Sequence, residues 1–386
     1  MIPLIRSLAA PLISLILLIL GSGLFNTFIS VRLEMEGYDP EIVGIVTSAL
    51  YVGILLGSLR IDRFISRYGH IVSFIVFAII STLVVLAQSL WIDPWYWCAL
   101  RLIGGICMAG IFIVIESWLL IQSTPATRGS ILSVYLAVFY AALSLGQFLI
   151  NIANPMTIYP FLITAFLCAL SILPLTIVKI TEPKREQSIR LSLRQLFRLS
   201  PLGFVGGIIS GMLLAAVYGL VPVYAKEIGL SLSQIGNLMA VIIFGGLSLQ
   251  WPMGRWADKG DRRKILNLAS FLAALFGIAI ALVNHESLTF LLILGWAFGG
   301  FSFTLYPLSM AYTCENVRED QIVAATGGFV LSYGIGAIAG PLLAPLVMDL
   351  LGSPGLFYFL SFISLFLGVF GLKTANESTK DKSSIE

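Results

Sequence analysis

Gly254-Arg255-Trp256-Ala257-Asp258-Lys259-Gly260-Asp261-Arg262-Arg263-Lys264 packs five cations and two carboxylates into eleven residues. Apolar runs flank it, from 232 to 251 and from 265 to 283. Each is close to the roughly 20 residues with which a helix crosses the hydrocarbon of a bilayer. Charge this dense is too costly to bury in lipid, so the stretch lies at a membrane surface. It can brace helix ends against one another there, and it marks its side as cytoplasmic.

Composition extends this reading to the whole chain. Of 386 residues, 58% are hydrophobic and 11% charged, and the mean hydropathy is +0.97. A soluble domain is about 25% charged. Apolar surface on this scale needs lipid to cover it, and the chain is read as an all-α membrane protein. Twelve spans are expected, near 8–30, 41–59, 71–91, 95–118, 130–152, 158–178, 201–224, 232–251, 265–283, 288–313, 322–350 and 356–372. Little chain is left for a soluble domain. The first run follows Arg6 and is longer than the apolar region of a secretory signal, with no clear small-residue cleavage site after it, so it is read as a retained span.

Turn-forming linkers such as Glu36-Gly37-Tyr38-Asp39-Pro40 separate most spans. The longest linker, 179–200, carries Lys184, Arg185, Arg190, Arg194 and Arg198, and its Leu191, Leu196 and Leu199 permit an amphipathic surface helix. It divides the chain into an N-terminal six-helix bundle (1–180), a cytoplasmic linker (181–200), a C-terminal six-helix bundle (201–373) and a cytoplasmic tail (374–386). With the N-terminus inside, every Lys and Arg falls on the cytoplasmic side except Arg32, Lys226 and Arg101. That asymmetry puts both termini in the cytoplasm. The halves repeat: Gly44 and Gly53 recur 192 residues on as Gly236 and Gly245, Glu116 recurs 199 on as Glu315, and Gly129 and Tyr135 recur 198 on as Gly327 and Tyr333. Parallel six-span repeats are the architecture of one large transporter fold.

The motifs give the resemblance a name. Gly254-x-x-x-Asp258-Lys259-x-x-Arg262-Arg263 resembles the loop motif of the major facilitator superfamily, which joins the second and third helices of a six-helix half. Glycine there permits close helix approach, the aspartate caps or pairs, and the cations meet a carboxylate or a helix C-terminus. The resemblance implies a cytoplasmic latch of Gly254, Asp258, Arg262 and Arg263 with Glu315. In the first half the ungapped repeat sets Ser66 opposite Asp258, Arg67 opposite Lys259 and His70 opposite Arg262. The aspartate is then missing unless Asp62 replaces it through an insertion, and a latch there rests on Glu116 with Arg63, Arg67 or Arg128. A topology-setting basic loop with no latch role is the alternative.

Arg101-Leu102-Ile103-Gly104-Gly105 is similar to the superfamily's span-4 motif, and Gly334-x-Gly336-x-x-x-Gly340-Pro341 to its Gly-Pro motif, here in span 11 rather than span 5. Arg101 either faces a wet cavity or snorkels to the outer interface. Glu116-Ser117-Trp118-Leu119, Arg128-Gly129, Tyr135, Gly146-Gln147 and Leu173-Pro174-Leu175, with Arg67-Tyr68-Gly69-His70, resemble the YcaD-like branch of bacterial major facilitator proteins. That branch implies an inner-membrane transporter.

In this fold the mid-span polar residues Asn26, Tyr51, Arg101, Tyr140, Gln147, Tyr218, Asn237, Tyr306 and Tyr333 are expected to line a substrate cavity. Taken singly, each is equally a packing or helix–helix bonding residue. The acids Glu34, Glu36, Asp39 and Glu41 cluster outside spans 1 and 2, and Glu34 or Glu36 is the proton-coupling candidate. The four cysteines show no metal spacing and there are only two His, so no metal or cofactor is expected. The expected partners are a small-molecule substrate, the bilayer and protons, with no nucleic acid and a monomeric chain. No HExxH, GxSxG or Walker loop argues for an enzyme. The competing reading is a non-transporting sensor or scaffold that keeps the fold and binds a partner through the 179–200 linker.

Overall fold

The computed structural model describes residues 2–121, 128–177, 193–283, 287–318 and 321–383. Fourteen α-helices and one short 3-10 helix account for the secondary structure of these residues, with no strand among them. In order they are α1 Ile2–Met35, α2 Pro40–Tyr68, α3 His70–Gln88, α4 Pro94–Ile121, α5 Arg128–Gln147 followed by the 3-10 turn Phe148–Asn151, α6 Tyr159–Leu170 and α7 Leu173–Ile177. Then come α8 Leu193–Leu199, α9 Pro201–Glu227, α10 Leu232–Lys259, α11 Arg262–Leu282, α12 Leu288–Glu315, α13 Ile322–Leu351 and α14 Gly355–Ser383.

Twelve segments among the described residues are long and apolar enough to cross a membrane, and each matches one span expected from the sequence. Helices are the answer because hydrocarbon offers backbone N–H and C=O groups no partner, and a helix satisfies them internally. The spans start and stop on ordinary signals: Pro40 and Pro201 sit in first turns, and Gly37, Gly229 and Gly352 turn the chain with positive φ. Large apolar side chains such as Leu83, Trp91, Phe166, Leu275 and Phe362 are exposed, as they are on a lipid-facing surface. The sixth span departs from expectation. It is two helices, α6 and α7, with a break at Ser171-Ile172. The charged stretch of the opening also differs from a loop: Gly254 to Lys259 continue α10, Arg262 already begins α11, and only Gly260-Asp261 turns.

The chain forms two compact units, Met1–Glu186 with Gly229–Ala240, and Gln187–Ile228 with Val241–Glu386. In the first, α2 packs on α4, α1 on α5, and α3 on α4 and α6. The start of α10 belongs with this unit: the Ser144 hydroxyl donates to the Ala240 carbonyl at 2.9 Å, and Gly236 lies against the carbonyl of Gln147. In the second unit α9 packs on α13, and α11 on α12 and α14.

The two pairing schemes match. A Cβ on Gly53 would strike the Leu102 carbonyl of α4, and one on Gly245 would strike the Trp296 carbonyl of α12. Gly53 and Gly245, which lie 192 residues apart, are thus the contact points of equivalent helix crossings, where backbone approaches backbone too closely for any side chain. Gly336 and Gly340 do the same for α13 against the Ile208 and Met212 carbonyls of α9. The Gly-Pro motif is therefore a packing seam here.

Of the 179–200 linker, residues 179–192 lie outside the described residues, Leu191 among them. The remainder forms α8. It is amphipathic, with Arg194 and Arg198 exposed and Leu196 completely buried against Ala325 and Phe329.

Candidate functional site

Arg101 is placed by packing. Gly105, one turn on, lies so close to the Leu50 carbonyl of α2 that no side chain fits, which fixes α4 against α2. The guanidinium then sits inside the first unit, 5% exposed. Its Nη2 donates to the Asn26 Oδ1 of α1 at 3.0 Å, and its Cζ lies 5.8 Å from the Phe25 ring. Phe161 meets Phe25, Phe28 and Trp97 edge-on, which walls the group with aromatic surface. Arg101 therefore faces inward and does not snorkel.

Arg101 and Asn26 line a cavity of about 60 Å³ together with Ser22, Ser81, Gln88, Thr164 and Cys168. Gln88 and Thr164 are not among the residues expected to line a cavity. The available signal was Gln88 itself, the one amide in a span without Asp, Glu, Lys or Arg. Ligand pockets usually measure about 300 Å³ or more. In this conformation the space beside Arg101 admits a few water-sized bodies and no organic solute.

The other residues of the expected cavity fall into two groups. In the first unit, Gln147 is consumed by structure: its Oε1 accepts from the Thr27 hydroxyl at 2.5 Å and its Nε2 donates to Leu143 O at 3.4 Å, tying α1 to α5. Tyr140 is buried edge-on to Phe139, and Tyr51 and Asn237 are half-buried. In the second unit Tyr218 meets Phe303 edge-on at 5.7 Å. Tyr306 meets Tyr333 at 5.0 Å and Phe329 at 5.3 Å. Because Phe329 also holds Leu196, a continuous apolar path runs from the linker helix to the two tyrosines. Pro307 follows Tyr306 within α12 and Pro222 lies within α9, and each removes a helix hydrogen bond near these aromatics.

At the charged stretch Asp258 and Asp261 divide the work expected of one aspartate. Asp261 caps α11, its Oδ1 accepting from the amides of Arg263 at 3.0 Å and Lys264 at 3.2 Å. Asp258 pairs with Arg262 at 3.2 Å. Arg262 also reaches Glu315 at 3.8 Å and the Ala311 carbonyl at 3.3 Å, so it joins the end of α10 to the end of α12. Arg263 approaches Asp261 at 3.9 Å. Gly254 is not at a close helix approach: a Cβ there meets no atom within 4 Å. In the first unit Glu116 is exposed near the end of α4, and Arg67 lies over the Tyr68 ring at 5.4 Å. The side chains of Asp62 and Arg128 lie outside the described residues.

Of the proton-coupling candidates, Glu36 pairs with Arg32 at 2.6 Å, and Arg32 also donates to Pro155 O at 2.7 Å, pinning the end of α1 to the loop before α6. Glu34 is half-buried beside them. The four cysteines are free and at least half-buried, and no group of three potential metal ligands occurs among the described residues.

Comparison with known proteins follows the same lines. The family model of the Major Facilitator Superfamily matches residues 11–231 and 203–386. The chain is 34% identical over 370 residues to the uncharacterized MFS-type transporter YcaD of Escherichia fergusonii, covering 95% of each. It is 33% identical over 340 residues to an uncharacterized MFS-type transporter of Yersinia pestis, covering 88% of each. Among solved structures, the nucleoside transporter NupG superposes with a TM-score of 0.80 at 13% identity, over 95% of this chain and 98% of that one. A D-xylose-proton symporter superposes with a TM-score of 0.76 at 12% identity, over 96% of each.

Proposed function

The chain belongs to the major facilitator superfamily, and from that premise we propose that it is a secondary active transporter, moving a small organic solute across the bacterial inner membrane by alternating access. Membership of this family and twelve apolar spans among the described residues make the chain a membrane protein that handles small molecules. The observation that carries alternating access is the duplicated helix-pairing scheme. Each unit is sealed at backbone-to-backbone crossings by Gly53 and Gly105 or by Gly245 and Gly299. Such seams make each unit move as one body, which alternating access requires. The residues proposed to contact solute are Asn26, Tyr51, Arg101, Tyr140 and Asn237 in the first unit, and Tyr218, Tyr306 and Tyr333 in the second; Gln147, whose amide is engaged with Thr27 and Leu143, is left out.

The bias of Lys and Arg supports an inner-membrane chain with both termini cytoplasmic, acting as a monomer. Arg262 with Asp258 and Glu315 is the proposed latch on that side. Two proteins of like fold, the nucleoside transporter and the D-xylose-proton symporter, lend support to a small organic solute and to proton coupling. Glu34 and Glu36 are the proposed coupling candidates, at the end of α1 where Glu36 pairs with Arg32. The scaffold reading is weakened by α8, whose Leu196 is buried on the chain's own second unit and so is not offered to a partner.

A thermal-shift screen of nucleosides, sugars and small organic acids on the purified protein tests this reading. A stabilising solute that loses its effect with Tyr306→Ala or Tyr333→Ala is expected. A panel with no stabilising compound, together with capture of a protein partner through residues 179–200, would reverse it.

A further inference from the structure

We propose that the cavity beside Arg101 is a binding site for a small monovalent inorganic anion of chloride size. The inference goes beyond transport of an organic solute, since it concerns a resident ion inside the first unit. Among the described residues, Arg101 is the only formal charge lining the cavity, and no carboxylate lines it. Its guanidinium donates to a neutral amide oxygen, that of Asn26. An arginine keeps its proton, so a guanidinium buried this deeply needs a counter-charge or several good acceptors.

The rest of the lining supplies donors. Gln88 is 0% exposed, and both its amide nitrogen and its amide oxygen are without a hydrogen-bond partner. The Thr164 hydroxyl, 2% exposed, and the Arg101 Nε are in the same position. Native interiors rarely leave so many buried polar atoms in one place without a ligand. The backbone around Gln88 is held still: the Trp97 indole donates to the Gln88 carbonyl at 3.0 Å, and Trp97 is fully buried. The amide is therefore presented at a fixed depth.

Size and charge choose the occupant. A cavity of about 60 Å³ is roomy enough for a halide and a companion water. A single guanidinium with neutral donors around it matches one negative charge rather than the two of sulfate or phosphate. A halide takes the donors of Arg101, Gln88 and Thr164. A companion water donates to the Gln88 oxygen, which an anion cannot satisfy. A cation is excluded by the guanidinium.

The test uses the full-length protein in detergent, with chloride as the probe and gluconate as the inert replacement. Equilibrium dialysis with radiolabelled chloride is expected to show saturable binding of one ion per chain, and chloride is expected to raise the melting temperature over gluconate. Gln88→Leu should weaken binding about tenfold, and Arg101→Gln should abolish it. Gln88→Glu provides the informative variant if Arg101→Gln fails to fold. It supplies a covalent anion beside the guanidinium, so its melting temperature in gluconate should match or exceed that of the parent in chloride, and added chloride should do nothing. Absence of saturable chloride binding by the parent overturns the proposal in favour of water alone. Stabilisation by formate with none by chloride overturns it in favour of a solute carboxylate. None of these readings requires flux, so they stand or fall separately from the transport assignment.

Discussion

Changing Glu315 to Gln should bias the conformational equilibrium without locking it, and the structure sets the size of the effect. Arg262 meets two carboxylates, Asp258 at 3.2 Å and Glu315 at 3.8 Å. The arginine side chain is 29% exposed, and the acids are 69% and 57% exposed. Exposed ion pairs are worth about 0.2–1 kcal/mol each. Moving a two-state equilibrium from 1:99 to 99:1 takes about 5.5 kcal/mol. The Glu315 pair therefore shifts populations by no more than about fivefold, and loss of both pairs in Arg262→Ala by no more than about thirtyfold. Both effects should shrink in 1 M salt, where the screening length falls to about 3 Å. Distance distributions between spin labels placed at the charged helix ends, on a chain freed of its native cysteines, would measure these populations. Collapse into a single state on Glu315→Gln, or a shift indifferent to salt, would refute the reasoning and require a lock held by more than these pairs.

Other expectations follow from the same contacts. Gly53→Ala places a Cβ on the Leu102 carbonyl and should cost about 1–3 kcal/mol in stability. Gly254→Ala enters open space within α10 and should leave the melting temperature unchanged or raise it, by up to about 1 kcal/mol of stability, so equal losses at both sites would contradict the packing account. Gln147→Leu strands the buried Thr27 hydroxyl and should destabilise by about 1–2 kcal/mol. Adding Thr27→Val should recover part of that loss, and strictly additive losses in the double-mutant cycle would show that the bond contributes nothing. Asp258→Asn should reduce transport more than Asp62→Asn, because the ungapped repeat sets Ser66, not Asp62, opposite Asp258. Equal effects on solute uptake would mean that both halves carry a working latch.

The spans were legible because burial in lipid writes a one-dimensional signal. A run of about 20 apolar residues with charge only at its ends needs no tertiary information to be read. The repeat was legible for a related reason: Gly53 and Gly245 cannot be replaced where backbones touch, and so they mark equivalent crossings. The break at Ser171-Ile172 has a signal in Pro174, which has no N–H for the Leu170 carbonyl, but the apolar run continues through it and hides the break from hydropathy. The Gly254–Lys264 stretch read as a loop because Gly and charge are local turn signals. Its helix persists because the backbone can keep its internal hydrogen bonds after leaving the membrane. The two aspartates there could not be told apart by composition. Which one caps depends on where α11 starts, and that puts Asp261 at the cap and Asp258 on Arg262.

The candidate site was legible in part. The spacing of Arg101 from Gly104-Gly105 placed a charge within a span, but its partner Asn26 lies on another helix, and sequence alone gives no facing. Gln88 and Thr164 were missed for the same reason. A polar residue on an outer helix reads as lipid-facing until the packing shows that it turns inward. The pairing of Glu36 with Arg32 depends on the turn of α1 that brings them together, and composition at the helix end does not reveal it.

The most direct test of transport is solute counterflow into proteoliposomes loaded with an unlabelled compound drawn from nucleosides, sugars and small organic acids, with and without an imposed pH gradient. The account predicts saturable, protein-dependent accumulation of at least one labelled solute, reduced by Tyr306→Ala or Tyr333→Ala. Uptake no faster than in protein-free vesicles for every compound, under either gradient, would contradict it.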